Sequence, residues 1–218
     1  MISGIALLTT LWLAAAPSSA APPEAVAADA AALIAQLRLP APADTDYAEI
    51  RFVHVLRKPL QLRGQLHYGG AGVLGKRVDA PYRETTSIAN GEAEVQREGK
   101  QPRRFSLERA PELEALLGSF SALLGGDAAA LDRQFAIRLD RRTNGWQLML
   151  TPRAAALASH LRDLVVDGNG HEVRCVSLHE SDGDASVMRL AELAAAPLAE
   201  PTLASAEALC RGDAHESR

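Results

Sequence analysis

The sequence predicts a mainly β (α+β) fold, a large curved antiparallel sheet or incomplete β-barrel of about ten short strands with two or three helices. Three observations predict it. Apolar residues recur with period 2 over most of the chain from Tyr47 to Leu193. Asn90-Gly91 and Asn144-Gly145 read as hairpin turns, because such turns need residues that tolerate positive φ. Inside that run only one long stretch, residues 111–124, keeps clear helical spacing.

At 218 residues, one domain with a sizeable core is the expectation. A formal charge of -4 argues against a nucleic-acid binder, which carries a basic excess. A charged fraction of 23% excludes wholesale disorder. Two cysteines supply neither a disulfide-rich scaffold nor a four-sulfur zinc site.

Residues 1–20 read as a secretory signal peptide. Residues 5–16 are an uncharged apolar run, and Pro17-Ser18-Ser19-Ala20-Ala21 offers the small residues of a cleavage site near Ala20/Ala21. The run is shorter than the roughly 20 apolar residues a bilayer span needs. No cysteine stands near the cleavage site to take a lipid anchor, so a free periplasmic protein of a Gram-negative cell is expected. Residues 21–194 form the expected domain. Residues 195–218, rich in Ala and Pro with little periodicity, are the expected loosely ordered tail.

Residues 24–38 are Ala-rich, with Val26, Leu33, Ile34 and Leu37 at helical spacing, and Pro40-Ala41-Pro42 stops that helix. The period then switches to 2. Ile50, Phe52, His54 and Leu56 alternate with Arg51, Val53, Val55 and Arg57; Leu62, Gly64, Leu66 and Tyr68 alternate with Gln61, Arg63, Gln65 and His67. Strands continue at 73–79 and 83–89, turn at Asn90-Gly91, pair back over 92–98, turn at Gly99-Lys100 and return over 103–107. Pro111 then opens the helix, where a first-turn proline is tolerated, and Gly125-Gly126 closes it. Leu113, Leu116, Leu117, Phe120, Leu123 and Leu124 make its apolar stripe so broad that cover on more than one side is expected. Strands resume with Phe135, Ile137 and Leu139, then Trp146, Leu148 and Leu150 up to Thr151-Pro152. Residues 153–161 suit a short helix, and 164–193 form a closing three-strand meander with turns at Gly168-Asn169-Gly170 and Asp182-Gly183-Asp184.

Motifs with chemistry fail on context. Gly70-Ala71-Gly72-Val73-Leu74-Gly75 matches the dinucleotide fingerprint, but alternation follows it where a helix is required, so it reads as a strand connection. None of the six histidines falls in a metal-ligand spacing, no G-x-S-x-G elbow exists, and the Asp182 turn does not complete a calcium loop. No catalytic residue, metal site or cofactor is expected. A secreted hydrolase stays as an outside alternative that needs a site assembled from distant residues. Cys175, on a strand, and Cys210, in the tail, can pair in an oxidising compartment. A curved sheet, a greasy helix and an export signal suit carriage of an apolar ligand, since barrel mouths make such pockets.

The order helix, strand pair, Gly64-x-Leu66 strand, Pro81, Asn90-Gly91 hairpin, Trp146-x-Leu148-x-Leu150-x-Pro152 and closing meander resembles the LolA family, periplasmic carriers of outer-membrane lipoproteins. The resemblance runs from about Ala27 to Leu193. It implies helices closing an apolar cavity for acyl chains, with residues 111–124 as lid or cavity wall. The lining expected is Phe52, Leu66, Tyr68, Leu116, Phe120, Leu123, Trp146, Leu148 and Leu150. It also implies a non-enzymatic monomer whose partners are an acylated lipoprotein or other acyl-chain ligand, an inner-membrane exporter and an outer-membrane acceptor. The family's Arg-Pro pair is replaced here by Gly70-Ala71, and the aromatic cluster usual after the Asn-Gly hairpin by Glu92-Ala93-Glu94-Val95-Gln96. A divergent carrier of another amphiphile, such as a fatty-acyl or polyene lipid in an export pathway, is the alternative those departures raise.

Overall fold

A computed structural model describes residues 23–198 and 201–212; the expected signal peptide, residues 1–20, lies outside them. After α1 (Pro23–Gln36), the chain lays down a six-strand meander: β1 (Ala43–Phe52), β2 (Leu60–Gly70), β3 (Val73–Ala80), β4 (Glu84–Ala89), β5 (Glu92–Arg97) and β6 (Arg103–Ser106). Two helices follow, α2 (Pro111–Gly125) and α3 (Ala128–Gln134). A second meander then runs through β7 (Phe135–Arg142), β8 (Gly145–Pro152), the short α4 (Ala155–Ala158), β9 (Leu161–Asn169), β10 (Glu172–Glu180) and β11 (Ala185–Leu190), and α5 (Leu203–Arg211) ends the described chain.

All eleven strands join one antiparallel sheet in the order β6-β5-β4-β3-β2-β1-β11-β10-β9-β8-β7. The first strand therefore lies at the centre, paired with the last. The first meander grows outward to the β6 edge, and the second starts at the opposite edge and grows back. Between them the chain must travel from one edge to the other, and α2 and α3 make that crossing over one face of the sheet. We call that face inner. At the β4–β5 hairpin Asn90 and Gly91 take φ of 54° and 73°, as its turn chemistry demands.

Strand alternation splits the core in two. On the inner face Trp146, Leu148, Leu150, Leu164, Val166 and Val176 pack with Ala30, Leu33, Ile34 and Leu37 of α1, Leu123 of α2 and Leu131 of α3. On the outer face Ile50, Cys175 and Val187 pack with Ala206 and Cys210 of α5.

The sequence expectation of a loosely ordered tail over 195–218 is corrected by α5. Thr202 and Ser205 form a reciprocal capping box, with Ser205 N donating to Thr202 Oγ1 at 3.1 Å. Cys210 is joined to Cys175 of β10. His179 of β10 is nearly buried between two carboxylates, Nδ1 on Asp163 and Nε2 at 2.7 Å from Oε1 of Glu207 in α5. The helix was hard to read because its apolar face is short and one of its anchors is a covalent bond. The expected helix over 153–161 shrinks to α4, since Leu161 already belongs to β9. Helix α3 escaped notice although Asp127 caps it, its Oδ1 accepting from Ala130 N at 2.9 Å.

The disulfide closes a loop with a sequence separation of 35, which chain entropy values at about 4 kcal/mol. Denaturant titration with and without a reductant is expected to register a loss of up to that size. The reduced protein should also be cleaved by protease first around residues 195–212.

Candidate functional site

Register places one row of side chains across the inner face at the sheet centre: Leu139, Leu148, Val166, Val176, Met188 and Glu49 stand on successive strands. The β7–β10 half of that row is covered by helices. Of the expected lining, Leu116, Phe120, Leu123, Trp146, Leu148 and Leu150 do meet there, with Leu148 and Leu150 wholly excluded from solvent. Trp146 is pinned by its Nε1 donating to Gly170 O at 2.9 Å. Gly168 lies flat beneath it, since a Cβ there would stand 2.1 Å from the indole ring.

The cover over this core is lightly seated. In α2 only Ser119 and Leu123 are fully buried; Leu113, Leu116, Leu117, Phe120 and Leu124 are partly buried. No side chain caps its N-terminus. Gly72 N donates to Ser121 Oγ at 3.0 Å and Leu39 N to Leu124 O at 2.8 Å, tying its C-terminal half down. Beside those ties the small residues Gly118, Ser121, Ala122 and Gly125 face Tyr68, Gly70 and Ala71 across a cleft of about 520 Å³. That volume lies within the roughly 300–1,000 Å³ usual for small-ligand pockets.

The other half of the inner face, around β1, β2, β3 and β11, carries a second apolar cluster. Tyr47, Leu62 and Val78 are buried, while Leu60, Leu66, Tyr82, Met188 and Leu190 are half-exposed around them. Leu66 lies here, and Tyr68 is buried on the same strand face at the wall of the cleft. Three charges interrupt this apolar floor. Glu49 is only 3% exposed; Arg51 Nε donates to its Oε1 at 2.7 Å, and Lys76 Nζ donates to its Oε2. Lys76 also sits over the Tyr47 ring, 4.9 Å from its centroid. Burial pushes the Glu49 carboxyl up, but the Lys76 ammonium and Arg51 guanidinium outweigh it and hold it below the ordinary value. Burial pulls the Lys76 ammonium down, and Glu49 offsets this only in part. Burial and the neighbouring Glu49 drive the Tyr47 hydroxyl well above the usual phenol range.

Phe52 is not a liner. It stands across from Ala185 on the outer face and packs against the cluster beneath α5. Both faces of β1 are buried, and its inner face, Tyr47, Glu49 and Arg51, is the more polar one in sequence, so choosing the more apolar set selected the wrong side. Strand β1 also ends at Phe52, short of the alternation expected to Arg57. Past it, His54 turns to Asp184, its backbone N–H donating to Oδ1 at 2.9 Å with Nδ1 2.7 Å from the same oxygen. His54, Asp182 and Asp184 bring one nitrogen and two carboxylates within 4.8 Å. Such a donor set is able to hold a cation, and the same contacts tie the loop after β1 to the β10–β11 turn. Sequence reasoning passed over it because the partners lie 130 residues apart.

The family described as outer membrane lipoprotein carrier protein LolA-like matches residues 20–214. No curated protein matches the chain. Among solved structures, a LolA superfamily protein from Nitrosomonas europaea aligns at 11% identity over 79% of this chain and 94% of that one, with a TM-score of 0.44. A putative outer membrane lipoprotein-sorting protein domain from Vibrio parahaemolyticus aligns at 7% identity over 85% and 99%, with a TM-score of 0.41. LprF from Mycobacterium bovis aligns at 12% identity over 83% and 97%, with a TM-score of 0.36.

Two outcomes follow from the site geometry. Glu49→Gln leaves two cations facing a neutral amide. The expected loss is about 2 kcal/mol at pH 7, below the range for fully buried pairs because Arg51 stays 40% exposed. Since the folded carboxyl titrates below its ordinary 4.5, that contribution is complete above pH 4.5 and disappears as pH falls through the folded value. Melting curves of wild type and variant should therefore converge in acid. Gly168→Ala is expected to lift the Trp146 ring, moving its emission to longer wavelength and lowering stability by about 1–3 kcal/mol.

Proposed function

The chain belongs to the LolA-like family of outer membrane lipoprotein carrier proteins, and from that premise we propose that it is a periplasmic, non-enzymatic carrier shielding acyl chains in transit from the inner to the outer membrane. The observation that carries this reading is α2, an apolar helix laid across the inner face with most of its large side chains only partly buried beside an open cleft. A chain of roughly 16 carbons costs on the order of 12 kcal/mol to expose to water. A carrier must hide that surface and still give it up, which calls for a cover seated by few contacts. The two hydrogen bonds near the C-terminal end of α2 fit that need, and an acyl chain beneath it takes over contacts now left to solvent.

Acyl chains of lipoproteins are the cargo this family reading supports, received from an inner-membrane exporter and passed to an outer-membrane acceptor. A second reading, carriage of another amphiphile, is favoured by Gly70-Ala71. Directly after the position of the family's Arg-Pro pair, the backbone N–H of Gly72 ties the turn to Ser121 of α2. Because the family match runs to residue 214, α5 is taken as part of the carrier domain.

The test is purification from the periplasm of cells expressing the full chain, followed by solvent extraction and mass spectrometry. Acylated peptides support lipoprotein carriage, and free acyl or polyene lipids support the second reading. A bromine-labelled acyl chain is expected to quench Trp146, the only tryptophan among the described residues. Phe120→Asp should weaken that quenching by about tenfold. Extraction of nothing, with no quenching, removes the carrier reading.

A further inference from the structure

One part of the inner face is built without a helix residue, and that part holds charge. Glu49, Arg51 and Lys76 lie on the apolar floor formed by Leu62, Leu66, Val78 and Met188, where a carrier of plain hydrocarbon gains nothing from them. Their balance is uneven. Glu49 faces two cations. Glu84 of β4, which also bears electrostatically on Lys76, stands across from Arg97 of β5, whose guanidinium lies 4.1 Å from the Tyr82 ring centroid. Asp79 is occupied by Arg77, whose Nε donates to its Oδ1 at 3.0 Å. Arg51 and Lys76 thus share the single buried carboxylate of Glu49.

A second, independent feature lies at the same place. The Tyr47 hydroxyl is buried, on a residue 1% exposed, and is one of the few buried side-chain polar atoms with no hydrogen-bond partner among the described residues. Leaving such a donor unmatched costs about 1–3 kcal/mol. Its ring lies directly under the Lys76 ammonium. A buried donor without an acceptor, beside two cations that share one carboxylate, suits one chemistry: a singly charged oxyanion.

We propose that Tyr47, Lys76 and Arg51 form a head-group site for an anionic amphiphile, whose carboxylate or phosphate is received there while its chain runs under α2. This rests on the carrier reading and narrows its cargo to lipids bearing one negative charge. The incoming oxygen accepts from the Tyr47 hydroxyl and the Lys76 ammonium, and Glu49 keeps Arg51. Lys76, with its side chain 25% exposed, is the group within reach of the open side.

The experiment is equilibrium binding of the mature chain to three radiolabelled probes with the same sixteen-carbon chain: palmitate, 1-palmitoyl lysophosphatidylglycerol and hexadecanol. One or both anionic probes are expected to bind about tenfold tighter than hexadecanol, the worth of a hydrogen bond to a charged group. Preference for palmitate assigns the site to a carboxylate, and preference for the lysophospholipid to a phosphate. Tyr47→Phe and Lys76→Met should each remove most of the preference and leave hexadecanol binding unchanged. Tyr47→Phe deletes a hydroxyl that bonds nothing in the fold, so its melting temperature should equal or exceed wild type while anion binding falls. Equal binding of hexadecanol and both anions overturns the head-group site and leaves the carrier reading standing. Failure of all three probes to bind overturns both.

Discussion

The pairing of β1 with β11 governs the rest of the molecule. It joins the two meanders at the centre of the sheet and so sends their free ends, β6 and β7, to opposite edges. The chain between those edges has no choice but to cross a face, and the crossing is α2 and α3. The part of the inner-face cover that α2 and α3 make is therefore a requirement of connectivity, independent of how well it packs. This frees the composition of α2. With its path set by the sheet, the helix tolerates Gly118, Ser121 and Gly125 where a helix held by its own packing would need bulk. The cleft beside it is the space those small residues leave.

Connectivity also explains why the two faces differ in character. The outer face is closed by a segment that the chain adds after the sheet is complete, and this segment is fixed by a covalent bond and by the Asp163, His179 and Glu207 contacts. The inner face is closed by α1 from the start of the chain and by α2 and α3 from its middle, through hydrocarbon and a few hydrogen bonds. Charges buried on the inner face are then conspicuous. An ion pair out of water seldom adds stability over apolar residues of the same shape, so Glu49 with its two cations makes poor sense as scaffold on an otherwise apolar floor.

Much of this architecture was legible in the sequence because strands, turns and the long apolar helix leave local signals. The alternation along β2, the Asn-Gly turns and the proline-to-glycine span of α2 each follow from backbone chemistry within a few residues. Which face of a strand turns inward is not a local property. Around Ile50 the more apolar set points outward because α5 waits there, and α5 was itself hidden, its position fixed by Cys210 rather than by a long amphipathic stripe. One misread tail thus misplaced Phe52 and concealed Tyr47, Glu49 and Arg51. The match of His54 with Asp184 was beyond reach for the same reason: it depends on which strand ends meet.

The clamp on α5 has a consequence for how such a molecule presents itself. With the back of the sheet fastened, any displacement of α2 leaves the surface around Cys210 unchanged. On the carrier reading proposed above, full and empty molecules then look alike from behind and different from in front. A neighbour that must tell one from the other has to approach from the side of α2, so the fold decides not only where material is held but also from which direction its presence is announced.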